Sequence, residues 1–355
     1  MWTNAVEFRF RWILAATILL VSLDSGVTTA QQGNAARPVE VHSLATSQSD
    51  TKENLATLSL VSNRLHQAKP ILGEKAEFPD FTRELIQLQW RTGDPIDLYV
   101  ILPRGVKKAR AIVYLYSYPS ESERFIDNDY CRRLVKGEFA AIGFVSALTG
   151  QRYHDRPMKE WFVSALEESL VTSVHDVQMI LDYLATRGDI DVSRVGFFGQ
   201  GSGATIAILA ASVDPRIKAL DLLEPWGDWP DWLAQSSLVP EDERSSYLKP
   251  GFLARIAPLD PVKSLPGLNT QASRLQLVAD NAVTPPTARE RIASAAPHSM
   301  LVVRYQDTRS LYDATTGGRL FVWVKEALTA VSEPPHNPVD RAGPVDIGRQ
   351  VRASD

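Results

Sequence analysis

A run of small residues, Gly199-Gln200-Gly201-Ser202-Gly203, carries the clearest chemical signal in the sequence. The pattern Gly-x-Ser-x-Gly places a serine at the apex of a sharp strand-to-helix turn, where its hydroxyl can attack an acyl carbon. Both outer glycines of this pattern are present, at Gly199 and Gly203, but the serine position is Gly201. Ser202 stands one residue later, so a displaced nucleophile is the alternative that the motif leaves open.

The segments on either side of this run predict a strand that enters it and a helix that leaves it. Residues 195–198 form a short apolar run typical of a buried strand, and residues 204–211 are apolar as in a buried helix. A long helix is predicted at 164–186 from its acidic start and apolar face, and an Asp-rich turn separates it from the strand. The glycine run therefore lies at a strand-to-helix turn.

This order of helix, Asp-rich turn, strand and glycine turn resembles the α/β-hydrolase superfamily, in particular its dienelactone-hydrolase-like and prolyl-oligopeptidase-like members. The resemblance spans about residues 81–330 and implies an α/β fold with a mostly parallel central sheet, helices on both faces and a small cap insertion at about 226–268. An antiparallel hairpin at 81–102, followed by continuous apolar runs joined through helical segments, agrees with it. Further strands are predicted at 111–115, 140–145, 217–223, 275–279 and 300–305, and further helices at 53–68, 130–135 and 320–330.

The resemblance also implies a catalytic histidine after the last strand, but the loop at 306–313 contains none. His154, in the loop after the strand at 140–145, is the histidine expected on the pocket side. The loop at 280–286 offers either Asp280 or Asn281 at the acid position, and Glu224 is another pocket carboxylate or else a solvated strand end. Ser202, His154 and Asp280 are the catalytic candidates that remain.

Aromatic and polar residues are expected around the pocket. Tyr116-Ser117-Tyr118 stands where relatives usually have His-Gly and a glycine-rich oxyanion loop. Three tryptophans within 226–232 could stack on a sugar or a cation from above, although packing inside the cap is the simpler interpretation. The predicted pocket residues are Tyr116, Tyr118, His154, Gly201, Ser202, Glu224, Trp226, Asp280 and Asn281.

Composition narrows the possible partners. A formal net charge of −4 over 355 residues, without a basic stripe, argues against a nucleic-acid partner. The histidines and the single cysteine, Cys131, lack metal-ligand spacing, and the glycine run lacks the lysine of a phosphate-binding loop, so no metal or cofactor is expected. Cys131 cannot form an intramolecular disulfide. The sequence does not set the oligomeric state.

The N-terminus predicts export. Arg9 and Arg11 precede an apolar run at 12–23, which is short for a membrane span of about 20 residues, and small residues follow up to Ala30. We expect a signal peptide at 1–30, a flexible leader at 31–52, the hydrolase-like domain at 53–331 and a disordered tail at 332–355. After cleavage no stable membrane insertion is expected; an N-terminal membrane anchor is the alternative.

These observations predict an exported α/β-hydrolase-fold protein that lacks Ser-His-Asp hydrolysis and uses its pocket to bind a small molecule, or has a structural role. One alternative is a carboxylic-ester or peptide hydrolase that uses Ser202 with a histidine such as His154. The other is a protein-interaction module without a ligand pocket. Fold alone does not decide among the three.

Overall fold

The computed structural model describes residues 53–60, 65–91, 93–118, 122–148 and 163–330. The predicted signal peptide, leader and tail, and His154, lie outside these residues. Within them, the centre of the fold is a nine-stranded sheet with strand order β1-β2-β3-β5-β4-β6-β7-β8-β9. The strands are β1 (Ile71–Glu77), β2 (Phe81–Leu88), β3 (Ile96–Pro103), β4 (Ala109–Leu115), β5 (Phe139–Phe144), β6 (Ile190–Gln200), β7 (Ile217–Leu223), β8 (Ala272–Val278) and β9 (Leu301–Tyr305).

The pairing of the strands changes once across the sheet, from antiparallel to parallel. The pairs β1–β2, β2–β3 and β3–β5 are antiparallel. From β5 through β4, β6, β7 and β8 to β9 all pairs are parallel. The side chains of β5 are buried on both faces, as expected for a parallel strand covered by helices. The predicted hairpin and parallel core are therefore confirmed, and the carboxyl ends of β4, β6, β7, β8 and β9 share one edge.

Helices cover both faces of this sheet. They are α1 (Asn128–Val135), α2 (Leu166–Ala185), α3 (Ser202–Ala211), α4 (Trp229–Gln235), α5 (Arg244–Tyr247), α6 (Pro250–Ile256), α7 (Pro261–Ser264), α8 (Pro286–Ala295), α9 (Thr308–Thr315) and α10 (Val322–Ala330). The long helix α2 and the buried helix α3 follow the predicted segments closely. Four short helices, α4 to α7, connect β7 to β8, where the cap insertion is expected. Among the described residues, no helix has both the length and the apolar character to cross a bilayer.

The helix predicted at 53–68 is wrong for the residues that the structure describes there. Residues 53–60 and 65–68 are turn and coil. Side chains of α2 hold this segment: Gln178 accepts a hydrogen bond from the Leu60 amide at 3.1 Å and donates to the Leu58 carbonyl oxygen at 2.7 Å. The helix-like spacing of apolar residues therefore reflects packing of an irregular segment against the domain, with its backbone groups paired to α2.

Candidate functional site

The glycine run forms a sharp turn between β6 and α3. Gly201 joins the two elements with φ 56° and ψ −121°, a conformation that glycine adopts without a steric cost from Cβ. Its N–H donates to the Leu223 carbonyl oxygen at 2.9 Å, and its own carbonyl oxygen accepts from the amides of Ala204 and Thr205 at 3.0 and 3.1 Å. The turn is therefore fixed on both sides by backbone hydrogen bonds.

The two outer glycines are required by close backbone contacts. A Cβ atom on Gly203 would lie 2.1 Å from the Leu115 carbonyl oxygen, and one on Gly199 would lie 2.6 Å from the Ala204 Cα. Real side chains cannot occupy such distances, so these positions need glycine for packing between β4, β6 and α3. The motif thus retains the glycines that allow a nucleophile turn to form.

Ser117 occupies the space that a side chain at position 201 would need. A Cβ atom on Gly201 would lie 2.3 Å from Ser117 Oγ and 2.7 Å from Ser117 Cβ, with Trp226 Nε1 at 3.2 Å. The apex of the turn therefore has no side chain of its own and is filled by a hydroxyl from the end of β4. Ser117 is not among the pocket residues that the sequence predicts.

Ser202 lies at the start of α3 and is fully buried. Its Oγ accepts a hydrogen bond from the Tyr118 amide at 3.0 Å. This contact directs the hydroxyl into the protein, and Ser202 does not line the neighbouring cavity. The same contact uses the Tyr118 amide in the loop after β4, where the resemblance places the oxyanion loop.

A cavity of about 360 Å³ opens next to Gly201 at the carboxyl ends of the strands. Its wall contains five predicted pocket residues, Gly201, Glu224, Trp226, Asp280 and Asn281. The other wall residues are Ser117, Gln200, Leu223, Val278, Ala282, Val283, Thr308 and Leu311. Most of the additional residues end a strand or begin the following loop, so strand ends were the sequence signal that could have found them.

Tyr116 and Tyr118 do not line this cavity, contrary to the sequence prediction. The Tyr116 ring packs among Phe125, Tyr130 and Phe198, and its hydroxyl forms a hydrogen bond with that of Tyr130. Tyr118 is half-buried and packs against the main apolar core. Because neighbouring residues of an extended chain point in opposite directions, Ser117 faces the cavity in their place.

Glu224 is a buried carboxylate in the cavity wall, so the interpretation as a solvated strand end is wrong. It has a positive φ of 51°, which is uncommon for a residue with a long side chain. Its carboxylate accepts hydrogen bonds from the Val278 amide and, at 2.7 Å, from Asn281 Nδ2. Burial raises the pKa of Glu224 above its usual value, and these hydrogen bonds offset only part of the rise.

The two candidates for the acid position have different partners. Asp280 Oδ1 accepts from the amide and the hydroxyl of Thr308, both at 2.9 Å, so this carboxylate is fixed at the start of α9. Asn281 donates to Glu224, and its Oδ1 accepts from the Val283 amide at 2.9 Å. Asn281 therefore shapes the loop and orients Glu224, whereas Asp280 faces solvent at the rim.

Within the described ranges, no histidine lines the cavity. His66 and His298 are exposed on other parts of the domain. His175 is fully buried in α2, where its Nδ1 lies 2.5 Å from Glu53 Oε1 and its Nε2 lies 2.8 Å from the Thr57 carbonyl oxygen. Its two ring nitrogens thus hold the segment at 53–60, which is a structural use of histidine.

The tryptophan-rich segment packs inside the cap and does not stand above the cavity. Trp226, Trp229 and Trp232 are each at most 1% exposed. Trp226 stacks on Trp232 with ring centroids 5.0 Å apart, and Trp229 meets Trp232 edge-on at 5.7 Å. Thr205 Oγ1 donates to the Trp226 carbonyl oxygen at 2.6 Å, which ties the segment to α3. Only Trp226 of the three borders the cavity.

For metal binding, the described part of the chain contains no group of three or more His, Cys, Asp or Glu side chains arranged to hold an ion. Cys131 is buried and unpaired, with its Sγ 3.1 Å from the Phe125 carbonyl oxygen.

No protein-family profile matches the sequence, and no curated protein matches it by sequence. Solved structures match the fold. Acetyl xylan esterase 1 from Thermoanaerobacterium sp. superposes with a TM-score of 0.55 at 15% identity, covering 71% of this chain and 87% of that one. An acetyl xylan esterase from Paenibacillus sp. gives 0.53 at 15% identity, covering 71% and 85%. The 2,6-dihydroxy-pseudo-oxynicotine hydrolase gives 0.51 at 18% identity, covering 73% and 68%. At these identities the likeness is one of fold.

Proposed function

The chain has an α/β-hydrolase fold, and we propose that it lacks Ser-His-Asp hydrolysis and binds a small molecule in the cavity beside Gly201. The observation that carries the proposal is the turn between β6 and α3. It keeps the backbone geometry and the outer glycines of a nucleophile turn, yet its apex is Gly201 and Ser117 fills the vacant space. A turn without an oxygen at its apex cannot form an acyl-enzyme there.

The alternative of hydrolysis through Ser202 would require two changes at once. The Ser202 hydroxyl would have to leave the Tyr118 amide and turn from the interior to the cavity. It would also need a base within hydrogen-bond reach, and the described histidines are either tied to the segment at 53–60 or exposed elsewhere. Ser117 faces the cavity, but none of the described histidines lines that cavity to act as its base.

The open cavity favours a protein that binds a small molecule over a protein-interaction module whose pocket is filled. Its volume of about 360 Å³ falls at the small end of the range typical of small-molecule sites. Its wall combines apolar side chains from strand ends with Glu224, Gln200 and Asn281, which is the usual composition of such sites. The tryptophans of the cap pack beside it and leave it open.

The N-terminal pattern supports the further proposal that the protein is exported after cleavage near Ala30. Expression in a bacterial host followed by fractionation should place the protein outside the cytoplasm, with a new N-terminus near Gln31. An intact N-terminus in the membrane fraction would instead support the anchor.

Ester turnover tests the catalytic part of the proposal. Short p-nitrophenyl esters should not be turned over by the wild type, by Gly201→Ser, or by Gly201→Ser combined with Ser117→Gly, which makes room for the new side chain. Turnover by the wild type would refute the proposal. Turnover gained only by the double variant would show that the site still holds a working base.

A further inference from the structure

Glu224 differs from most other buried carboxylates of the molecule in its partners. Four buried or nearly buried acids each lie against a guanidinium: Asp176 with Arg91 at 2.5 Å, Asp214 with Arg216 at 2.6 Å, Asp221 with Arg274 at 2.7 Å, and Glu84 with Arg187 at 2.8 Å. The hydrogen-bond donors to Glu224 are the neutral amides of Val278 and Asn281. In the part of the chain that the structure describes, no ion pair within 4.0 Å joins Glu224 to a cationic side chain.

The nearest positive influence on Glu224 comes from Arg289, which is not part of the cavity wall. Its guanidinium donates to the carbonyl oxygens of Ala279 and Asn281 at 3.0 Å and of Thr284 at 2.8 Å. These contacts tie the Arg289 side chain to the loop after β8. The cavity side of the Glu224 carboxylate therefore faces no cation from the described wall.

The hydrogen bonds to Glu224 favour its ionised form and partly offset burial, which raises its pKa. Each carboxylate oxygen already accepts one N–H, Oε1 from Val278 and Oε2 from Asn281. A carboxylate has about four acceptor positions, so about two remain for other donors. Since Glu224 lines the cavity, these positions are available to a molecule bound there.

The other groups of the cavity wall also favour a positively charged ligand. Asp280 provides a second carboxylate at the rim, and no Lys, Arg or His side chain is among the described wall residues. Trp226 contributes an indole to the same wall, with its Nε1 edge next to Gly201 and its ring stacked on Trp232. Burial makes the charge of Glu224 costly even with its two hydrogen bonds, and a bound cation would lower that cost.

We propose that the cavity binds a small organic cation, a ligand with an ammonium group, and that Glu224 is its counter-ion. This inference rests on the proposed function, which makes the cavity a binding site, and adds the chemical class of the ligand. Trp226 forms an apolar wall beside the ammonium group, and Asp280 attracts the ligand at the rim.

Titration calorimetry with choline and with dimethylbutanol, its neutral isostere with carbon in place of the quaternary nitrogen, tests the proposal. The two probes have the same shape and differ in charge. Choline should bind more tightly by about tenfold or more, since one contact to a charged group is worth about that factor. In Glu224→Gln, the ratio of the choline affinity to the dimethylbutanol affinity should fall to near one. Glu77→Gln, which removes an exposed charge on β1, should leave it unchanged.

The wild type provides a second readout if Glu224→Gln folds poorly. Choline keeps its charge at all pH values, so its affinity should fall as Glu224 becomes protonated on acidification, while that of dimethylbutanol should stay constant. The inference would be overturned if the two probes bound equally, if choline did not bind, or if choline binding did not depend on pH. Binding of dimethylbutanol alone would leave the proposed function standing, whereas ester turnover would refute that function whatever the probes do.

Discussion

Gly201→Ala tests whether Ser117 fills the space of the missing side chain. The substitution adds only a Cβ atom, whose position follows from the backbone: 2.3 Å from Ser117 Oγ and 2.7 Å from Ser117 Cβ. Both distances are far below van der Waals contact, so Ser117 must move or the turn must shift. The backbone conformation at this position is a first cost for any residue with a Cβ atom.

The structure adds a second cost to that backbone cost. Strain at a positive φ of 56° is worth about 1–3 kcal/mol for a residue with a Cβ. The clash of the new Cβ atom with Ser117 adds about 1–3 kcal/mol. Gly201→Ala should therefore destabilise the fold by about 2–6 kcal/mol in total. Ser117→Gly removes both clashing atoms and should return the cost of the clash, about 1–3 kcal/mol, in the double variant.

Urea unfolding of the wild type, both single variants and the double variant measures this coupling. A free energy of unfolding for the double variant that exceeds the additive value by about 1–3 kcal/mol supports the packing argument. Additivity within about 0.5 kcal/mol would show that Ser117 does not occupy the space beside Gly201, and the reasoning would fail.

Three further outcomes follow from the contacts. Ser202→Ala removes the hydroxyl that accepts from the part-buried Tyr118 amide and should lower the free energy of unfolding by about 0.5–1.5 kcal/mol in urea titrations, whereas an effect near zero would place the hydroxyl elsewhere. A bound ligand should change tryptophan fluorescence through Trp226, so Trp226→Phe should abolish the change and Trp229→Phe should retain it; the reverse would move the ligand into the cap. Burial alone would raise the pKa of Glu53, but hydrogen bonds from partners including Arg91 outweigh it and lower the pKa from 4.5 to about 2. The stability from Glu53 is therefore present above pH 4.5 and lost as the pH falls towards 2, so unfolding midpoints should fall less across this window in Glu53→Gln than in the wild type.

Much of the fold could be predicted because buried parallel strands are continuous apolar runs. The strand at 217–223 was placed to the residue, since both ends are marked by polar residues or proline. The edge strand β1 was missed because its residues are mostly exposed and charged, without a period-2 pattern. The false helix at 53–68 had helical spacing, but tertiary contacts to α2 decided its conformation.

The site could be predicted only where it is contiguous in sequence. Gly201, Asp280 and Asn281 belong to recognisable turns, so their place at the cavity followed from the motif. Ser117 could not be distinguished from Tyr116 and Tyr118 without knowing which way the chain turns after β4. The neutral hydrogen-bond donors to Glu224 come from β8 and the loop after it, which are distant in sequence, and no local pattern reports them.

Fluorophosphonate labelling tests the central claim most directly, because the probe reacts with a serine only when a nearby base activates it. Purified protein incubated with the probe and analysed by intact-mass and peptide mass spectrometry should carry no adduct. A stoichiometric adduct on Ser202 or Ser117 would contradict the account and identify the protein as a serine hydrolase with a displaced nucleophile.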